Sequence, residues 1–126
     1  MNKRVQDLPV SFCFDRDASN YEKICEEARP LLKSPSIYER GLSKAMVLND
    51  LEAAESEFST AINQSLPTLS KYYFQRGNVR FLQKKYEGAC RDYSEALKLD
   101  PKIVYGWTNK GAALGLLGTL TPVFRE

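Results

Sequence analysis

Residues 72–101 read YYFQRGNVRFLQKKYEGACRDYSEALKLDP. Tyr73, Gly77, Val79, Phe81 and Leu82 fall at helical spacing, and the pattern breaks at Gln83-Lys84-Lys85. Tyr86, Ala89, Cys90, Tyr93, Ala96 and Leu97 then recur at i, i+3, i+4, i+7, i+10 and i+11, an apolar stripe on a second helix. Asp100-Pro101 ends it, because the residue before a proline avoids the α region. The stretch predicts helix, short turn, helix. Two helices cross closely only where small side chains sit at the crossing. Gly77 and Ala89 fill that role, with Tyr73 and Tyr93 closing the space beside them.

A shift of 34 residues carries Tyr73 to Trp107 and Gly77 to Gly111, so that YFQRG becomes WTNKG. Ala112, Ala113, Leu114, Leu117 and Gly118 continue a helix of the same kind. In the other direction the second-helix pattern reappears as Leu51, Ala54, Phe58, Ala61 and Ile62, closed by Pro67. Ala54-x-x-x-Phe58-x-x-Ala61 copies Ala89-x-x-x-Tyr93-x-x-Ala96. Ahead of it, IYERGLSKAMVL holds Tyr38 and Gly41, with Ser36 and Glu39 spaced as a capping box. Gly41 to Ala54 is one residue longer than Gly77 to Ala89, and the extra residue belongs in the turn near Asn49-Asp50.

A period near 34 with this alternation of small and large residues resembles the tetratricopeptide repeat. The best copy is residues 70–103, with Tyr73, Gly77, Tyr86, Ala89, Tyr93, Ala96 and Pro101 at the family's positions. Residues 35–69 form a first, weaker repeat, and residues 104–126 hold the first helix of an incomplete third repeat and a divergent tail. Residues 1–34 are an N-terminal segment. Within it Ser19 and Glu22 form a second capping box, and Tyr21 to Leu32 carry an apolar stripe with Pro30 kinking its last turns. This helix is either the relic of another repeat or a cover for the first. The family's leucine before the glycine is replaced by Arg40, Arg76 and Lys110, whose stems are expected to pack while the charges reach water.

The resemblance implies an all-α fold: a short right-handed superhelical solenoid of antiparallel helix pairs, about two and a half repeats plus the N-terminal helix. It implies a protein–protein interaction module, a scaffold or adaptor, whose first helices line a concave groove for a partner peptide. The family's groove positions fall on Lys71, Phe74, Asn78 and Phe81, then on Tyr105, Thr108, Asn109 and Ala112. Tyr38 and Leu42 belong to the preceding repeat, with the one-residue slip in register. Groove aromatics would bury the peptide, and Asn78 and Asn109 would hold its backbone. One branch of the family is a set of co-chaperones that bind chaperone C-terminal tails through lysines, asparagines and an arginine. Asn78 and Asn109 match its asparagines, but Phe74 stands at a lysine position.

Composition narrows the alternatives. The chain of 126 residues has no histidine, which removes the commonest general base, the usual nucleophile pairs and most zinc sites. No metal, cofactor or catalytic residue is expected, and the chain is not read as an enzyme. Cys13, Cys25 and Cys90 are odd in number, with no C-x-x-C, which favours reduced thiols in a cytoplasmic protein. Cys90, beside Ala89, is expected to be a buried structural thiol. Glu26/Glu27 and Glu55/Glu57 are read as solvated helix faces, Gly106, Gly111, Gly115 and Gly118 as helix contacts, and the Asn63 sequon as chance. The N-terminal LPVSFCF is too short for a signal peptide, and no run is long enough to span a membrane.

The net charge of +2 argues against nucleic acid as a partner. It is concentrated in residues 70–103, where Lys71, Arg76, Arg80, Lys84, Lys85 and Arg91 cluster. The plain reading pairs them with Asp92 and Glu95, and the other is an acidic partner segment. At the C-terminus, TLTPVFRE discourages a helix, so the third first-helix lacks its second. Its Leu114, Leu116, Leu117 and Trp107 then form an open end, suited to self-association.

Overall fold

The computed structural model describes residues 21–103 and 105–120. Among them are six α-helices, one 3-10 turn and no strand, the all-α repeat expected. Helix α1 is Tyr21–Ala28 and runs into the 3-10 turn Arg29–Lys33. Pro30 stands in the first positions of that turn, where its missing N–H costs nothing. Cys13 and Ser19, and with Ser19 the capping box it would form with Glu22, lie outside the described residues.

Helix α2 is Ile37–Met46 and α3 is Leu51–Asn63. Ser36 caps α2 by accepting the Glu39 N–H at 3.3 Å. The Glu39 carboxylate takes the hydroxyl of Ser34 at 2.8 Å, and the Ser34 oxygen accepts the Ser36 N–H at 3.0 Å. Asp50 caps α3 through the Ala53 N–H at 3.0 Å, just after Asn49 turns the chain at φ 53°. Helix α4 is Leu69–Leu82, α5 is Tyr86–Leu99 and α6 is Gly106–Leu120. Four residues join α2 to α3 and three join α4 to α5, so the extra residue does sit in the first of these turns.

Short turns make sequential helices neighbours, and each of α2 to α5 packs on the next. Their registers are set by aromatic rings pressed into glycines. A Cβ on Gly41 would stand 2.7 Å from the ring of Phe58, and one on Gly77 would stand 2.8 Å from the ring of Tyr93. Ala54, Ala61, Ala89 and Ala96 flank those rings and are fully buried. Phe58 and Tyr93 thus each enter a slot that only a glycine leaves open, and burying such a ring is worth about 2–3 kcal/mol. Tyr38, Phe58 and Tyr72 stack around the first slot, and Phe74 and Tyr93 meet in the second with centroids 5.7 Å apart.

The third copy differs. A Cβ on Gly111 would meet nothing within 4 Å, and Trp107 is 60% exposed. Both carry packing spacing in the sequence, and neither is packed here. Among the described residues no helix follows α6, so their face has no second helix against it. Ala113, at 0% exposure, is the main anchor of α6 in the core.

Candidate functional site

The first helices α2, α4 and α6 lie side by side, α4 touching both of the others. Helix α4 is covered on several sides: Tyr72, Phe74, Gln75, Gly77, Asn78 and Val79 are all buried. This decides what its groove positions can do. Phe74 is 3% exposed, and its ring is spent on Tyr93. Phe81 is half-buried and meets Tyr86 edge-on at 5.4 Å. Asn78 is 5% exposed, and its Oδ1 accepts both the Tyr93 hydroxyl at 2.6 Å and the Asn109 Nδ2 at 2.9 Å. Its own Nδ2 is buried with no protein acceptor. Leu42 is fully buried.

The remaining groove positions are more open. Lys71 is exposed and holds its ammonium 5.4 Å from the centre of the Tyr38 ring, whose hydroxyl accepts from Gln75 Nε2 at 2.8 Å. Tyr105, Thr108 and Ala112 are exposed, and Asn109 is half-buried against Asn78. The Asn109–Asn78 bond joins α6 to α4 across 31 residues of sequence. The surface on offer is thus Lys71 and Tyr38, then Asn109, Thr108, Ala112 and Tyr105, with Phe74 and Asn78 beneath it rather than on it.

The basic cluster of α4 is largely spent inside the fold. Arg76 grips Asp92 with two hydrogen bonds, 2.9 and 2.8 Å, and gives a third to Ser59. Arg80 bridges Asp92 at 3.1 Å and Glu55 at 2.8 Å. Asp92 is 3% exposed. Glu95 pairs with Lys98 rather than with the cluster. In the preceding pair Arg40 grips Glu57 with two bonds of 2.9 Å, and Lys44 joins at 2.5 Å. The charges of Arg40 and Arg76 therefore go to a carboxylate on the next helix and not to water. The hydrogen bonds it donates to Asp92 hold the Arg76 guanidinium protonated to still higher pH. Hydrogen bonds from Arg40 pull the Glu57 carboxyl below its usual range. At Glu55, burial pushes the carboxyl up, but hydrogen bonds from Arg80 and Gln83 and the charges of Arg80 and Lys85 outweigh it, and the net shift is down.

The sequence held a signal for these pairs that periodicity does not read. Glu57 precedes Phe58 as Asp92 precedes Tyr93, and each faces an Arg-Gly pair. Cys90 is buried, and burial pushes its thiol up, away from nucleophilic character. The Cys25 thiol donates to the Met46 carbonyl at 3.5 Å. Among the described residues no three histidine, cysteine or acidic side chains gather to hold a metal, and no helix is long and apolar enough to cross a membrane.

Comparison with known proteins agrees with this architecture. The tetratricopeptide repeat family profile matches residues 70–103, the α4–α5 pair. The chain is 34% identical over 73 residues to Hsp70-Hsp90 organizing protein 3 of Arabidopsis thaliana, covering 58% of this chain and 13% of that protein. It is 33% identical over 99 residues to small glutamine-rich tetratricopeptide repeat-containing protein 2 of Saccharomyces cerevisiae, covering 77% of this chain and 28% of the relative. Hsp70-Hsp90 organizing protein 1 of Glycine max is 33% identical over 73 residues, again 58% of this chain and 13% of the relative. The chain thus spans under a third of the length of these relatives. No solved structure gives a significant match. Residues 70–103, whose glycine takes the ring of the partner helix, are thus a tetratricopeptide repeat, and the same slot is built again at Gly41.

Proposed function

We propose that this chain is an adaptor that binds an extended segment of a partner protein across the inner face of α2, α4 and α6. The repeats would be residues 35–69, 70–103 and the partial one from 104, set on the N-terminal helix. The observation that carries the reading is the Asn109–Asn78 hydrogen bond, which aligns the open positions of α6 with those of α4 on one face. Asn109 and Thr108 offer side-chain hydrogen bonds to a peptide backbone. Lys71 offers the free charge, so a segment with acidic residues at one end fits best. The buried pair Phe74 and Asn78 supports this surface from below. In this reading the protein acts by binding and not by catalysis, and its place is the cytoplasm, where Cys25 and Cys90 stay reduced.

A second reading is favoured by the unspent Nδ2 donor of Asn78 and by the organizing proteins among the relatives. Here the segment would end in a chain-terminal carboxylate, held near Asn78 and Asn109 with Lys71 as the nearest cation. The buried Phe74 ring stands where a second cation would help.

Affinity capture with the intact chain tests the proposal, followed by anisotropy with peptides of the captured partner. Asn109→Ala and Lys71→Glu are the informative variants, because both residues are accessible and neither is in the core. Each is expected to weaken binding about tenfold, a loss of about 1.4 kcal/mol. Equal binding by the wild type and both variants removes the inner face from consideration. Amidating the peptide's C-terminus separates the two readings: only the second predicts a loss.

A further inference from the structure

Ser34, Pro35 and Ser36 join the 3-10 turn Arg29–Lys33 to α2. Ser34 has φ −66° and ψ 144°, the extended backbone that a residue before proline prefers. Lys33 and Pro35 on either side of it are exposed, and Ser34 itself is half-buried. Among the described residues no other serine or threonine precedes a proline; Thr121, which does, lies outside them. The Ser34 side chain is a junction. Its Oγ donates to the Glu39 carboxylate at 2.8 Å and accepts the Ser36 N–H at 3.0 Å. Arg40 donates from Nη1 to the Ser34 carbonyl at 2.8 Å, while its Nε and Nη2 grip Glu57 of α3. One hydroxyl thus lies between a carboxylate only 7% exposed and the guanidinium that fastens α2 to α3.

We infer that Ser34 is a phosphorylation site for a proline-directed protein kinase, and that its phosphate unfastens the start of α2. In the transfer, Oγ bonds to the γ-phosphorus of ATP as the bond from that phosphorus to its bridging oxygen breaks. ADP leaves, and the hydroxyl proton passes to the kinase's base. Pro35 has no N–H and a fixed φ, so the serine is offered from a pre-set extended segment. The first turn of α2 must open to admit the enzyme, and the Ser36 cap on the Glu39 N–H, at 3.3 Å, is the longest bond at this junction. The phosphate ester has no hydroxyl proton, so Glu39 loses its donor. A charge of roughly −1.5 to −2 arrives beside its carboxylate and repels it. Phosphate oxygens are strong acceptors for a guanidinium, and Arg40 already reaches Ser34. Drawn to the phosphate, Arg40 leaves Glu57 with Lys44 as its remaining cation. The mark therefore acts both on the cap of α2 and on its lock to α3.

The test treats the full chain with ATP and a proline-directed kinase of the cyclin-dependent class, and locates the phosphate by tandem mass spectrometry. Incorporation at Ser34 is expected, and Ser34→Ala should remove it. Melting and hydrogen exchange then read the consequence on the purified phosphorylated chain. It should melt at least about 4 °C lower than the unmodified chain. Amides of Ile37–Gly41 should exchange at least about tenfold faster, with the largest loss of protection there. Glu39→Gln supplies the discriminating background, because an amide can donate to the phosphate and carries no charge. Compared with its own unmodified form, the phosphorylated Glu39→Gln chain should show no drop in melting temperature. Absence of phosphate at Ser34, or phosphate only at Ser36 or Thr121, overturns the inference. So does a phosphorylated chain that melts and exchanges as the unmodified one does. An equal drop in the wild-type and Glu39→Gln backgrounds also overturns it, since the phosphate would then act on something other than this junction.

Discussion

Arg76-Gly77 and Lys110-Gly111 hold the same two places in successive first helices, and only the first pair is filled. Around Gly77 a tyrosine ring presses at 2.8 Å, two alanines vanish from solvent, and a carboxylate at 3% exposure gathers two arginines. Around Gly111 a Cβ would find open space, the cation rests on a tryptophan, and that tryptophan is the most exposed large apolar side chain described. A repeat position is thus half an instruction. Glycine means close approach only when a ring arrives from the next helix, and the same residue without the ring is a flexible point in an open helix.

The comparison breaks most sharply at Asp92. Asp92→Ala leaves Arg76 and Arg80 without their shared carboxylate in a largely dry setting. Breaking a buried pair from one side costs about 3–5 kcal/mol, and the partial exposure of the arginines points to the lower end. Urea unfolding should therefore register about 3 kcal/mol for Asp92→Ala and under about 0.5 kcal/mol for Lys110→Ala. Similar losses at both positions would mean that Lys110 is already paired within the fold.

Local stability should differ next. Helix α5 buries Ala89, Cys90, Asp92, Tyr93, Ala96 and Leu97, while α6 leaves Trp107, Leu114 and Leu116 exposed. Amides from Trp107 to Leu117 in the monomer should exchange about a hundredfold faster than those from Ala89 to Leu97, an opening cheaper by about 2.7 kcal/mol. Equal protection would show that α6 is held as firmly as α5 despite its exposed side chains.

Alanine at the two glycines sharpens the contrast to a change of sign. Gly77→Ala drives a methyl into the Tyr93 ring and should cost about 1–3 kcal/mol, as overpacking does. Gly41→Ala should behave alike against Phe58. Gly111→Ala meets no atom and gains helix propensity, so it should stabilise by about 0.8 kcal/mol. A loss at Gly111 would show that some segment does press on that face.

The helix pairs were legible in the sequence because small residues at crossings recur with the helical period, and Gly77, Ala89 and Ala96 cannot easily mean anything else. The open surroundings of Gly111 were not legible, because Trp107 and Gly111 carry the spacing of packed residues. The groove was less legible. Phe74 and Asn78 sit on faces of α4 that look open when one helix is read alone, yet α5 and α6 cover them both. Nor does periodicity show the turns, where Asn49, Ser65, Thr68, Lys84 and Tyr105 take positive φ with no glycine among them. Arg40 and Arg76 looked like snorkelling cations because their carboxylates lie 17 and 16 residues away. That partnership is visible only when Glu57-Phe58 and Asp92-Tyr93 are aligned as pairs.

The smallest effect concerns acid. Glu57 is held below its ordinary range by Arg40 and Lys44, so its folded pKa lies under the unfolded value of about 4.3. A depressed carboxylate stabilises fully above the unfolded value, and that stability drains as pH falls through the folded one. Glu57→Gln should thus lower stability by about 1 kcal/mol at neutral pH. The deficit should shrink as the pH drops below the carboxylate range, because the wild-type carboxylate is then protonated as well. Among the described residues no carboxylate pairs with Lys110, so Lys110→Met should leave the acid limb of the stability curve unmoved. Thermal melts of the three proteins from pH 7 down to pH 2 decide it. A Glu57→Gln deficit that stays constant with pH would make this side chain a matter of packing rather than charge. An acid limb that moves with Lys110→Met would reveal a carboxylate already seated against α6, and the two regions would then be locked in the same way.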